Sequence, residues 1–290
     1  MTKKSPPKWL FRLVGARPEE LPSALMMFFY FFLLTASIYI VKPVKVSLYL
    51  KWLKADGLPY AYLVTALLMG FFVTLNSRLI QRMRRQVYIS WSLGFFILSL
   101  CLFWALFRLQ WRWLSIIFWF WSDLFIVTSV TQFWILINDI YAPRQAKRLV
   151  GFLVSGGLLG GIAGALLATT LASLLKTEGL LLVCPLLLAV CLVIVNRVHG
   201  IAGPGELFEA RGSGGTRKTE VGYLDSFRLF RRHRYLVLLA GAMACAIVVT
   251  TLIDFQFNSA VERAFQDRVD ARTAFLGTFF IGLLIFSYFL

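Results

Sequence analysis

The sequence predicts an all-α, polytopic membrane protein that crosses the bilayer about eight times, and three observations carry that prediction. Hydrophobic residues fill 59% of the 290 positions and charged residues only 15%, against about 25% charged in a soluble domain. The apolar residues come in blocks of about 18 to 26, long enough to cross a hydrocarbon core of about 30 Å. The 30 Lys and Arg collect between those blocks, where orientation signals belong. That placement sets aside a nucleic-acid polymer as the reason for the +16 formal charge; a small anionic substrate is compatible with it.

The first block, 21–41, follows Lys3, Lys4, Lys8 and Arg12. It lacks a small-residue cleavage site and reads as a membrane helix rather than a removed signal peptide. Blocks two and three, 58–75 and 87–107, are separated by a turn carrying Arg78, Arg82, Arg84 and Arg85. Blocks four and five, 113–138 and 149–174, are the longest, which permits tilt. Between them Arg144-Gln145-Ala146-Lys147-Arg148 serves as a cytoplasmic anchor. Block six is 178–195, and blocks seven and eight are 235–253 and 274–290.

The stretch from 196 to 234 contains Gly203-Pro204-Gly205, Gly212-Ser213-Gly214-Gly215 and then Arg228, Arg231, Arg232 and Arg234, the composition of a flexible linker with a basic flank. Of the 30 cationic residues, 20 fall on the side of the N-terminus and 10 on the other. That bias puts the N-terminus in the cytoplasm; the membrane expected is the inner (plasma) membrane of the cell. The expected organisation is a six-helix half (1–195), a cytoplasmic linker (196–234) and the first two helices of a second half (235–290). Transporters with two six-helix halves are laid out in this way. Because the chain stops inside the eighth block, it is expected to be eight helices of an intended twelve.

Charges inside the apolar blocks are the candidate functional residues. Asp123 lies near the middle of block four, where a carboxylate costs about 2.5–3.5 kcal/mol on insertion scales. It is expected to face a polar interior, as a structural ion pair or as a substrate or proton-coupling group. At 100° per residue, Thr131 and Asn138 fall within about 80° of the same face. Lys42 and Lys45 close block one on either side of Pro43. They either snorkel to the headgroups or line a cavity opened by the proline. Asp254 ends block seven as a boundary residue or a site residue, and 262–272, of mixed sign, is expected to be an amphipathic surface segment.

Gly156, Gly160 and Gly164 recur at four-residue spacing, with Gly157 and Gly161 beside them. That stripe suits close helix packing, and the strand and Gly-Lys-Ser/Thr of a phosphate loop are missing. Cys101, Cys184, Cys191 and Cys245 all sit in apolar blocks and read as small buried hydrophobes. His199 and His233 both lie in the linker. With no nucleophile–base pair and no metal-ligand spacing, no enzyme, cofactor or metal is expected.

The placed residues resemble the nucleotide transporter family, the ATP/ADP translocases of plastids and intracellular bacteria, which are major facilitator-like. Phe133-Trp134 with Asn138, then Gln145-Ala146-Lys147-Arg148 and a Gly-rich helix, is similar to the family's Phe-Trp…Asn…Glu-Ala-Lys-Arg. Ser122-Asp123-Leu124 resembles its Ala-Glu-Leu, Leu252-Ile253-Asp254-Phe255 its Leu-Val-Glu-Val, and Thr273-Ala274-Phe275-Leu276-Gly277 its Ser-Ala-Phe-Met-Gly. Lys42-Pro43-Val44-Lys45 is similar to its Arg-Asp-Thr-Lys, with the acidic residue replaced. The resemblance implies a secondary transporter exchanging ATP and ADP, with substrate contacts at Lys45, Asp123 and Asp254, to which Lys42 and Asn138 are added as candidates. The alternatives are a major facilitator carrier for another anion or metabolite, and a non-transporting membrane anchor of a regulatory protein.

Overall fold

The computed structural model describes residues 20–201, 234–266 and 268–289. The basic N-terminal tail, with Lys3, Lys4, Lys8 and Arg12, and 202–233 of the linker expected over 196–234 lie outside that range, while 196–201 and Arg234 belong to helices instead. The described elements are helical: α1 (Leu21–Leu53), a 3-10 turn (Ala55–Gly57), α2 (Leu58–Arg82), α3 (Arg85–Phe107), α4 (Arg112–Ile140), a long stretch Pro143–Ile201, α7 (Arg234–Phe265) and α8 (Val269–Phe289). Seven of these stretches are long and apolar enough to cross a membrane. The long one is two helices, α5 over 143–175 and α6 over 177–201, broken at Lys176 with φ 61° and ψ 164°.

Their neighbours show that the chain reverses at that break. Gly156, Gly160 and Gly164 of α5 meet Phe28, Phe32 and Ala36 in ascending order along α1. Cys184 and Cys191 of α6 instead approach the carbonyls of Ser37 and Tyr30, each at 3.8 Å, in descending order. The fold therefore makes eight passes, as the apolar blocks require. The end at which α1 begins is called the near end below, and the opposite one the far end.

Several boundaries differ from those expected. Block one was expected to stop at 41, but α1 runs to Leu53 straight through Pro43. Proline removes a backbone donor, yet Val41, Pro43 and Val44 are all buried, and neighbouring helices can hold a membrane helix through such a gap. Lys42 and Lys45 are consequently interior residues and do not close a span. Likewise α7 continues past Asp254 to Phe265. The segment 262–272 is amphipathic as expected, exposed at Arg263, Ala264, Gln266, Arg268 and Ala271, but its last residue turns inward. Arg272 is only 1% exposed, and its guanidinium donates to the carbonyl of Ser47 at 3.4 Å and to that of Gln266. Of the cysteines, Cys184 and Cys191 are buried as expected, whereas Cys245 is exposed, because α7 carries its apolar window uncovered.

Helix α1 is the axis of the bundle. The glycine stripe of α5 lets the two backbones touch: a Cβ at Gly160 would overlap the carbonyl of Phe32, and one at Gly164 that of Ala36. Small residues permit this approach, and dispersion rewards it where lipid supplies no hydrophobic drive. Around it Phe31 stacks on Phe133 at 3.7 Å and Phe28 on Phe152 at 4.7 Å. Helix α8 packs on α5 through Gly277, against Thr169 and Ala165. At the near end Glu20 holds Arg148 and Gln145, and Arg85 pairs with Asp139.

At the far end two carboxylates tie α7 and α8 to the first six helices. Glu262 accepts the N–H of Ala55 at 2.7 Å. Asp270 accepts the N–H and the hydroxyl of Thr177, both at 2.7 Å. Each bond follows a lysine with left-handed φ, Lys54 (φ 56°, ψ 170°) and Lys176, in a region that favours glycine and costs other residues about 1–3 kcal/mol. Beside them Lys51 and Gln110 reach Glu178.

Two sets of variants test this packing by thermal melting in detergent. Gly164→Leu should destabilise by about 1–3 kcal/mol or more through overpacking, while Gly151→Leu, with nothing within 4 Å of a Cβ, should not. Asp270→Ala should cost about 0.5–2 kcal/mol as a lost helix cap, whereas Lys176→Gly should raise the melting temperature by relieving the backbone.

Candidate functional site

Three helices bring four charged side chains to mid-depth. At 1.5 Å per residue, Lys42, Lys45, Asp123 and Asp254 stand about 12–17 Å of helix from the far ends of α1, α4 and α7, close to the centre of a hydrocarbon core of about 30 Å. Lys42 and Lys45, three residues apart, share one face of α1, and that face turns inward because the glycine contact of α5 occupies another.

The Nζ of Lys45 donates to Oδ1 of Asp123 at 2.6 Å. The lysine side chain is 11% exposed and the aspartate 24%. The same ammonium lies 3.8 Å from the centroid of the Trp119 ring, a cation–π contact of about 0.5–2 kcal/mol. Trp119 is buried and packs on Tyr49 at 4.7 Å and Tyr62 at 5.8 Å. Its indole N–H has no hydrogen-bond partner among the described residues.

Asp254, on the exposed side of α7, is held from two directions. The Tyr62 hydroxyl of α2 donates to its Oδ2 at 2.5 Å, and Asn258 Nδ2 donates to the same oxygen at 3.1 Å. Asn258 also reaches the Tyr62 oxygen at 3.3 Å. A continuous chain of polar and aromatic contacts therefore runs Lys45–Asp123 and Lys45–Trp119–Tyr62–Asp254–Asn258, linking α1, α2 and α4 to α7. Asp123 and Asp254 both lie within electrostatic reach of Lys42 and Lys45.

Lys42 is placed differently. It is half-buried, with its ammonium 4.5 Å from the Tyr39 ring centroid and 5.9 Å from that of Phe280 on α8. Among the described residues no carboxylate lies within 4 Å of it.

The structure thus brings together four of the five expected site residues. Asn138 is the exception: it is exposed and sits about 22 Å from Asp123 along α4, beside the near end. Thr131, expected on the same stripe, spends its hydroxyl on the carbonyl of Val127 at 2.7 Å. Sequence reasoning missed Tyr62, Asn258 and Trp119 as members of the cluster. Two of them left a signal: Trp119 is four residues before Asp123 and Asn258 four after Asp254, the spacing of one helix face. Tyr62 left none, because only tertiary packing sets α2 against α7.

The pair has a measurable signature. Lys45→Gln or Asp123→Asn alone should lower stability by about 3 kcal/mol, since each leaves a largely buried charge without its partner. The double variant should recover most of that loss in a melting experiment, as a double-mutant cycle detects.

No curated protein and no solved structure matches the chain. The model of one family does, and it covers residues 15–290. Helices that cross a bilayer, charges gathered at mid-depth and a match along nearly the whole sequence agree. The chain belongs to the Major Facilitator Superfamily and is a multi-pass secondary transporter with a small-molecule substrate.

Proposed function

We propose that the substrate is an anionic metabolite of the nucleotide type, ATP exchanged for ADP, bound at Lys42, Lys45, Asp123 and Asp254 and moved by alternating access. In that mechanism two helical bundles rock around a site near the midplane. The observation that carries the reading is the gathering of two lysines and two carboxylates at mid-depth on α1, α4 and α7. Charges are kept inside a membrane at a cost of several kcal/mol and mark substrate or ion pathways. Lysines neutralise phosphate, while carboxylates accept hydrogen bonds from ribose or base. Asn138, near the near end, would meet the substrate on its way in or out. The charge bias of the loops supports a cytoplasmic N-terminus, so the tied far end faces away from the cytoplasm, and the inner membrane is the location we assign.

One observation favours a second reading, a carrier for another anion or a zwitterionic metabolite. The four charges cancel, two cationic and two anionic, which suits a weakly charged solute better than a polyanion arriving without protons or counter-ions.

Reconstitution decides between them. Proteoliposomes loaded with ADP are expected to take up labelled ATP, and Lys45→Gln and Asp123→Asn to bring uptake down to background. Normal uptake by both variants, at equal amounts of inserted protein, would remove the site assignment. A panel of labelled anions and zwitterions, with uptake of one of them and none of ATP, would select the second reading.

A further inference from the structure

We propose that Lys42, framed by Tyr39 and Phe280, is the residue that takes the substrate's anionic group, and that Asp123 holds Lys45 back from that task. This rests on the anion-carrier reading and divides its two lysines, where the resemblance assigns the role to Lys45.

Both lysines project from one face of α1 at nearly the same depth, yet their surroundings differ. Lys45 is 9% exposed, donates to Asp123 at 2.6 Å and is covered by the Trp119 ring. An incoming anion would have to displace a carboxylate already in charge-assisted contact, and would leave the half-buried Asp123 unpaired. Lys42 poses neither obstacle. It is half-buried, hence reachable, and the groups against its ammonium are π faces, with Asp123 and Asp254 acting on it only from beyond contact.

A cation–π contact is a weaker partner for an ammonium than a charge-assisted hydrogen bond to phosphate or carboxylate. The site therefore keeps a cation in place while leaving its three donors available. The Tyr39 and Phe280 rings meet edge to face at 5.7 Å, so the frame is built half on α1 and half on α8. Any displacement of α8 against α1 takes Phe280 away from the ammonium and changes how strongly Lys42 holds the anion. Affinity is thereby linked to the conformational step of the carrier.

The test uses the full chain purified in detergent and ligand-dependent thermal stabilisation, with ATP, ADP and orthophosphate as probes and adenosine as the uncharged counterpart. Lys42→Gln should weaken the apparent affinity for ATP by at least about 10-fold, the worth of a charge-assisted hydrogen bond, and leave the response to adenosine unchanged. Lys42→Arg should restore it, and Lys147→Gln, an equal loss of charge at an exposed position, should do nothing. A variant that keeps the lysine, Phe280→Leu, should weaken ATP about 3-fold by opening the cation–π frame, which covers the case in which Lys42→Gln does not fold. Unchanged ATP affinity in Lys42→Gln, or in Phe280→Leu if the former is unfolded, overturns the assignment and leaves the carrier reading intact. A wild-type chain that responds to none of ATP, ADP and orthophosphate overturns both.

Discussion

Backbone contact between α1 and α5 governs the rest of the structure. In water two helices are driven together by the apolar surface they hide, but in lipid that drive vanishes and close approach must supply the attraction. Gly156, Gly160 and Gly164 supply it by letting Phe28, Phe32 and Ala36 lie directly on the α5 backbone. Once α1 is seated there, α6 returns along it and α4 closes against it through the Phe31–Phe133 stack. Helix α1 thereby becomes the most enclosed span of the bundle, with 56% of its apolar window buried, and whatever its inward face carries must be accommodated inside.

That face carries two lysines. An ammonium deep in a bundle needs an opposite charge, a dipole or a π face near it, and each lysine has found a different solution. Lys45 takes a carboxylate from α4 together with the Trp119 ring, and Lys42 takes two aromatic rings, one from α1 itself and one from α8. Because Asp254 is drawn into the same cluster by Tyr62 and Asn258, the polar chain spans helices on both sides of the long linker. A site assembled in this way changes its shape whenever those helices move relative to one another.

The far end ties α7 and α8 to the first six helices. Glu262 and Asp270 satisfy backbone donors next to two strained lysines, Lys54 and Lys176. Strained backbone persists where its surroundings hold it, so these carboxylates stabilise tight reversals and fasten α7 and α8 to the other helices at once.

The sequence by itself determined the all-helical membrane class, the eight passes and the packing role of the glycine stripe, because these follow from block length and residue size, which are local properties. It also marked Asp123 and the two lysines as exceptions to hydrophobicity. Tertiary structure alone decided where the helices end and which exceptions meet. Hydropathy falls at the first charge, so α1 and α7 were expected to stop at Val41 and Ile253, but a charge paired with another helix need not leave the membrane, and both helices run on. Arg272 is buried because the carbonyls of Ser47 and Gln266 accept its guanidinium, and Asn138, which helical periodicity puts near the Asp123 face, lies too far along the axis to join it. The division of labour between Lys42 and Lys45 was invisible because it depends on Asp123, Trp119 and Phe280, which lie far from the two lysines along the chain and become their neighbours solely through the fold.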